Sequence, residues 1–170
     1  RTVGHAKNIL KNIITDNKGR ISCGVIGVQW LMHGLTDMGR GDVAWLLATN
    51  KAYPSWGYMA ENGATTTWEL WNGNTASPKM NSGNHVMLLG DLVSWIYQDI
   101  GGINSDPAKP GYKHVILKPD FSVDEIDDIN TSYKSIYGMI QSRWKKQNGM
   151  LHWDVEIPAN TTATLGHHLR

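Results

Sequence analysis

The chain has a single cysteine, Cys23, in 170 residues. That excludes an internal disulfide and any metal site built from several thiolates. Placed between Ser22 and Gly24 beside an apolar run, Cys23 reads as a small buried hydrophobe. There is one phenylalanine. Charged residues make up 18%, below the usual quarter, and they nearly cancel to a net charge of +1. Such a balance gives no electrostatic basis for binding nucleic acid or an anionic membrane, and 41% hydrophobic residues is too many for a disordered chain. No apolar run is long enough to span a bilayer, and no secretory leader is recognisable. A Walker loop, a dinucleotide fingerprint, zinc-ligand spacing and a nucleophile elbow are all missing, so no cofactor and no metal is expected. His167 and His168 lack a third ligand and read as a free tail. Sequons at Asn130 and Asn160 are weak signals that leave the compartment open.

Tryptophan is what the chain has in excess: eight, beside six tyrosines. A buried indole N–H needs a partner, so tryptophan is a costly filler. Its enrichment fits sugar binding or large interfaces, with core packing as the common alternative.

The first hundred residues carry helical periodicity. Val3, Ala6, Leu10 and Ile13 share one face, and Val25, Val28, Met32 and Leu35 share another. A third helix is predicted from "DVAWLLATN" with Asp42 as its N-cap. The fourth is predicted from about Asn84 to Ile100, with a stripe of Val86, Leu89, Val93, Ile96 and Ile100 ended by Gly101 and Gly102. Past them the character changes. "HVILKPDF" reads as a strand stopped by Pro119, and Asn148-Gly149 is a strong signal for a two-residue hairpin turn. Counting outward puts Gln147 opposite Met150, Trp144 opposite Trp153 and Arg143 opposite Asp154. Ile140, Ser142 and Trp144 then share a face with Trp153, Val155 and Ile157. "NTTATL" offers one more strand. The chain is thus helical to about residue 104 and antiparallel β from about residue 112, giving predicted domains at 1–104 and 105–170. Four helices joined by long loops do not close a bundle, which favours a segment of a larger helical array.

The chemistry concentrates in "YPSWGYMAENGATTTWELW", residues 53–71. Glu69 lies between Trp68 and Trp71. If the rings enclose its carboxyl, desolvation favours the protonated form and suits it to acid–base work. The alternative is a solvated glutamate in the first turn of a helix capped by Thr65 to Thr67, where the helix dipole favours it. His85 opens the fourth helix, with Asn84 or Ser82 as cap, and its ring can bond a sugar hydroxyl or merely serve the loop. Trp56 is either a stacking platform or a core ring. Glu61 reads as a solvated loop carboxylate.

These residues carry a resemblance. "YPSWGYMAENGATTTWELWNG", "SGNHVMLLGDLVSWIYQDIGGI" and "PGYKHVILKPDF" look like the C-terminal third of the bacterial α-L-rhamnosidases, glycoside hydrolase family 78, and the likeness covers nearly the whole chain in order. It implies an all-α (α/α)6-barrel segment followed by a small antiparallel β-sandwich domain. It also implies an inverting hydrolase that releases terminal α-L-rhamnose, using two carboxyls on either side of the scissile bond. The glutamate of the family's Thr-Thr-x-Trp-Glu motif, its general base, falls on Glu69. Its active-site histidine falls on His85, and Trp56 and Trp71 fall in segments lining its pocket. No stretch of residues 1–50 resembles the loop that carries the family's general acid. The expected partners are therefore a rhamnose-containing carbohydrate and a missing N-terminal part of the same protein. Two other readings stay open: an (α/α)6 inverting glycosidase acting on fucose or a glucoside, and a non-catalytic carbohydrate-binding protein.

Overall fold

The computed structural model describes residues 2–77, 79 and 82–167. The side chain of Val3 and the whole of His168 lie outside the described residues. The chain divides into two compact units, Arg1–Val93 and Ser94–Arg170, described separately below.

The first unit is helical. Helix α1, Thr2–Lys11, runs into a π-helical turn, Asn12–Asp16, whose end is closed by the Asn17 N–H on the Asn12 carbonyl. Helix α2, Val25–Asp37, buries Val28, Met32 and Leu35 completely, the face its periodicity predicts. The Arg40 N–H bonds the Leu35 carbonyl and the Gly39 N–H bonds the Thr36 carbonyl, which closes α2 in a Schellman turn. Helix α3, Gly41–Thr49, therefore starts at once, with Arg40 at its N-cap. Asp42 is not the cap. It sits inside the first turn, where the Arg40 guanidinium holds both its oxygens at 2.8 Å and the helix dipole favours its charge.

A short helix α4, Trp56–Glu61, was not evident from periodicity, because six residues hold less than two turns. Ser55 caps it by accepting the Tyr58 N–H at 2.8 Å. Helix α5, Val86–Trp95, begins in this unit and runs on into the second, where it continues as a second π-helical turn, Ile96–Ile100. The face predicted for it is corrected in part by the structure: Val86, Leu89 and Val93 are exposed and Leu88 and Trp95 are buried, whereas Ile100 at the end of the stripe is buried as expected. The helix is apolar on most sides, so spacing alone admits more than one inward face.

The second unit is β. Strand β1, Ile103–Ser105, pairs antiparallel with β2, His114–Leu117. Strands β3, Asp128–Ser135, β4, Gly138–Gln147, and β5, Met150–Glu156, form an antiparallel meander. The predicted hairpin register holds throughout: Gln147 faces Met150, Trp144 faces Trp153 and Arg143 faces Asp154. Strand β6, Thr162–Leu165, departs from the antiparallel expectation. It leaves the second sheet after Pro158 and lies parallel to β2 in the first. The two sheets share one core of Ile103, Val115, Leu117 and Ile140. Ser142 is buried there because it accepts the Trp153 indole N–H at 3.0 Å, while the Trp144 indole bonds the Ile100 carbonyl at 2.9 Å. His167 is no free tail, since its ring lies 6.1 Å from that of Phe121.

Candidate active site

The aromatic loops are tied together through the main chain. Thr67 and Glu69 run alongside residues 82–85. The His85 N–H bonds the Thr67 carbonyl at 2.7 Å, the Glu69 N–H bonds the Ser82 carbonyl at 3.0 Å, and the Thr66 hydroxyl donates to the Gly83 carbonyl. Residues 62–85 contain no helix among those described, so the expected helix capped by Thr65 to Thr67 does not form. The segment's polar groups find partners across the loop instead.

Glu69 completes this clasp. Its Oε2 accepts the Ser82 N–H at 2.8 Å. The residue is exposed, and the flanking Trp68 and Trp71 are half-buried. The rings therefore do not enclose the carboxyl in this chain, which is the solvated alternative, though without the helix expected to carry it. Trp68 is turned over Gly73, where an added Cβ would stand 2.5 Å from the ring carbon Cγ. Trp71 turns inward, and its indole donates to the Cys23 carbonyl at 3.0 Å. Cys23 is half-buried, and burial pushes its thiol pKa up, which keeps it an unreactive hydrophobe.

Trp56 is both anchor and wall. It is 8% exposed, its indole donates to the Leu88 carbonyl at 3.2 Å, and its ring meets Trp71 edge-on at 5.3 Å. Beside it a cavity of about 320 Å³ opens between α4, the Ala64–Thr67 segment and α5. Its lining includes Trp56, Met59, Thr66 and Leu89, and does not include Glu69, Trp71 or His85.

His85 caps α5 itself. Its Nδ1 accepts the Leu88 N–H at 3.3 Å, an N-cap bond to the third helical residue, so neither Asn84 nor Ser82 is needed for that. Ser82 instead shapes the preceding turn by accepting the Asn84 N–H at 3.2 Å. With Nδ1 accepting, the neutral imidazole carries its proton on Nε2, which can donate to a ligand oxygen.

Asp91, on α5, escaped the sequence reading. Its Oδ2 is sealed from solvent without a hydrogen-bond partner. Burial pushes its pKa above the usual carboxylate range, while His33 and His85 pull it down. Only burial, which sequence does not display, marks it out. Glu61, as expected, is exposed and pairs with Lys51 at 2.6 Å, which lowers its pKa. No group of three metal-ligating side chains occurs among the described residues.

Comparison with known proteins places this arrangement. Residues 2–100 match the bacterial alpha-L-rhamnosidase 6 hairpin glycosidase domain, and residues 102–166 match the bacterial alpha-L-rhamnosidase C-terminal domain. The chain belongs to the bacterial alpha-L-rhamnosidases. It is 34% identical over 163 residues to an alpha-L-rhamnosidase of Streptomyces avermitilis, covering 93% of this chain and 15% of that protein. An alpha-L-rhamnosidase structure from Dictyoglumus thermophilum superposes with a TM-score of 0.86 at 30% identity, over 94% of this chain and 18% of that one. The Streptomyces avermitilis alpha-L-rhamnosidase, solved in complex with L-rhamnose, superposes with a TM-score of 0.80 at 32% identity, over 90% of this chain and 15% of that one. The chain thus spans 15–18% of the length of the curated relatives it matches. Its helical part and its β part each correspond to one of the family's domains.

Proposed function

We propose that this chain is part of an inverting glycoside hydrolase that releases terminal α-L-rhamnose from glycosides or polysaccharides. In this reading residues 1–104 are the last helices of an (α/α)6 barrel and residues 105–170 its C-terminal β domain. The observation that carries it is the match of both parts of the chain, in order, to the two rhamnosidase domains. That a relative binds L-rhamnose supports the choice of sugar.

Glu69 acts as general base. One oxygen is held by the Ser82 amide, so the carboxylate is oriented while Oε1 keeps its lone pairs for a water. The base takes a proton from that water as it attacks the anomeric carbon on the face opposite the leaving oxygen. An acid on the other side, about 6.5–9.5 Å away in inverting enzymes, protonates the leaving oxygen. No stretch of residues 1–50 resembles the loop that carries the family's acid, so in this reading the acid belongs to the larger protein and the 170-residue chain by itself is expected to be inactive. The exposure of Glu69 agrees with a half-built pocket: its carboxylate is desolvated only when the remaining hairpins and the sugar close over it. His85 donates from Nε2 to a sugar hydroxyl. Trp56 offers the apolar wall of the cavity to the sugar's C–H face, and Trp71, packed edge-on against it, takes part in sugar binding by holding that ring.

The test is Glu69→Gln in the complete enzyme. Turnover of an aryl α-L-rhamnoside should fall by about 10²–10⁴-fold with the fold intact, and proton NMR of the first product from the parent should show the inverted anomer. Near-normal hydrolysis by the variant removes Glu69 from the role.

A further inference from the structure

The outer face of the β3–β4–β5 sheet holds a cleft that this reaction does not use. Its walls are cross-strand neighbours: Asn130, Arg143 and Asp154 form one row, and Asp128, Lys145 and His152 the next. The opposite face of the same sheet carries the buried Thr131, Ile140, Ser142 and Trp144, so these six side chains point outward. The cleft measures about 620 Å³, inside the ~300–1,000 Å³ range of ligand pockets. It stands on hydrogen-bonded strands, which hold a binding site more rigidly than loops do.

Each row sets a cation directly beside a carboxylate, an arrangement that usually ends in an ion pair. Here it does not. Among the described residues none of the six side chains makes a hydrogen bond or an ion pair. The donors of Arg143 and Lys145, the acceptors of Asp128 and Asp154, and the two-sided amide of Asn130 all remain open to a ligand. Their formal charges cancel, Arg143 and Lys145 against Asp128 and Asp154. A balanced set of charges gives no net attraction to an anion, and no metal-ligating trio gathers here among the described residues. A neutral molecule dense in hydroxyls fits, because every hydroxyl both donates and accepts and so meets either kind of group.

We propose that this cleft is a second carbohydrate-binding site, one that takes a neutral oligosaccharide segment of a rhamnose-containing polymer. The choice of polymer rests on the function proposed above, whereas the cleft's affinity for a neutral glycan does not. The site would hold the substrate chain near the enzyme without touching the bond that breaks.

Affinity electrophoresis of the complete protein through gels containing a neutral α-linked polyrhamnose tests it, with polymer-free gels as baseline. The parent should be retarded. Arg143→Ala and the isosteric Asp154→Asn should each bind about tenfold more weakly, the loss expected for charge-assisted hydrogen bonds. Lys134→Ala, on the same face at the far end of β3, should migrate as the parent does. Circular dichroism melts confirm that the variants fold, and turnover of a small aryl rhamnoside should be unchanged in all three. No retardation of the parent, or equal retardation of parent, Arg143→Ala and Asp154→Asn, overturns the proposal. A protein that lacks rhamnosidase turnover would refute the proposed function, while the gel would still report on the cleft.

Discussion

Glu69 and Ser82 are joined twice: the Glu69 N–H bonds the Ser82 carbonyl at 3.0 Å, and the Ser82 N–H bonds Glu69 Oε2 at 2.8 Å. A carboxylate that also fastens its own loop is a mixed target for mutation. Gln keeps an oxygen for the Ser82 amide and Ala does not. Glu69→Gln should therefore leave the urea midpoint of unfolding close to the parent's. Glu69→Ala should cost up to about 1 kcal/mol through the lost bond. Equal midpoints for the two variants would mean that the clasp contributes nothing to stability. Loss of turnover in Glu69→Gln at unchanged stability isolates the chemistry.

His85 divides its two nitrogens between helix and ligand. Asn is among the best N-cap residues, so His85→Asn should preserve α5 while removing the Nε2 donor. In the complete enzyme KM should rise about tenfold at nearly constant stability. His85→Ala should show the same rise and lose about 1 kcal/mol as well. Steady-state kinetics alongside urea titration separates the two effects.

Asp91 predicts a pH dependence of stability. Its pKa in the folded chain is raised by burial, against the opposing pull of His33 and His85. The folded state therefore binds the Asp91 proton more tightly than the unfolded state does. That contribution is fully present below the ordinary carboxylate range and is lost as pH rises through the raised pKa. Asp91→Asn removes the buried charge, so it should melt above the parent at about pH 7. The gap should narrow as pH falls through the raised pKa, where the parent's carboxyl takes up its proton. A gap that is constant or widens as pH falls would refute this.

Asn148 and Gly149 turn the β4–β5 hairpin with φ of +55° and +72°. A Cβ on Gly149 would meet nothing within 4 Å, so Gly149→Ala probes backbone conformation without a steric clash. It should cost about 1 kcal/mol, read as a lower urea midpoint with an unchanged slope.

The features legible in the sequence are those written in neighbouring residues. The Asn148-Gly149 turn set the register of ten-residue β4 against β5, and the spacing of Val28, Met32 and Leu35 marked the buried face of α2. Motif order announced the family. Where a pattern allowed two outcomes, it misled. Helix α5 could turn several apolar faces inward, and the buried Leu88 lay off the predicted stripe. Asp42 looked like a cap until the Schellman turn of α2 put Arg40 there. Helix α4 was too short to show a period.

Local backbone preference and hydrophobic period are properties of adjacent residues, so the sequence alone settled the hairpin and the helical-then-β order, while its motifs in order carried the resemblance to the rhamnosidase family. The folded chain decided the rest: the Glu69 carboxylate on an amide thirteen residues away, the donor nitrogen of His85, the sealed oxygen of Asp91 and the parallel seat of β6. Each depends on groups brought together from distant positions, and neither spacing nor composition specifies such meetings.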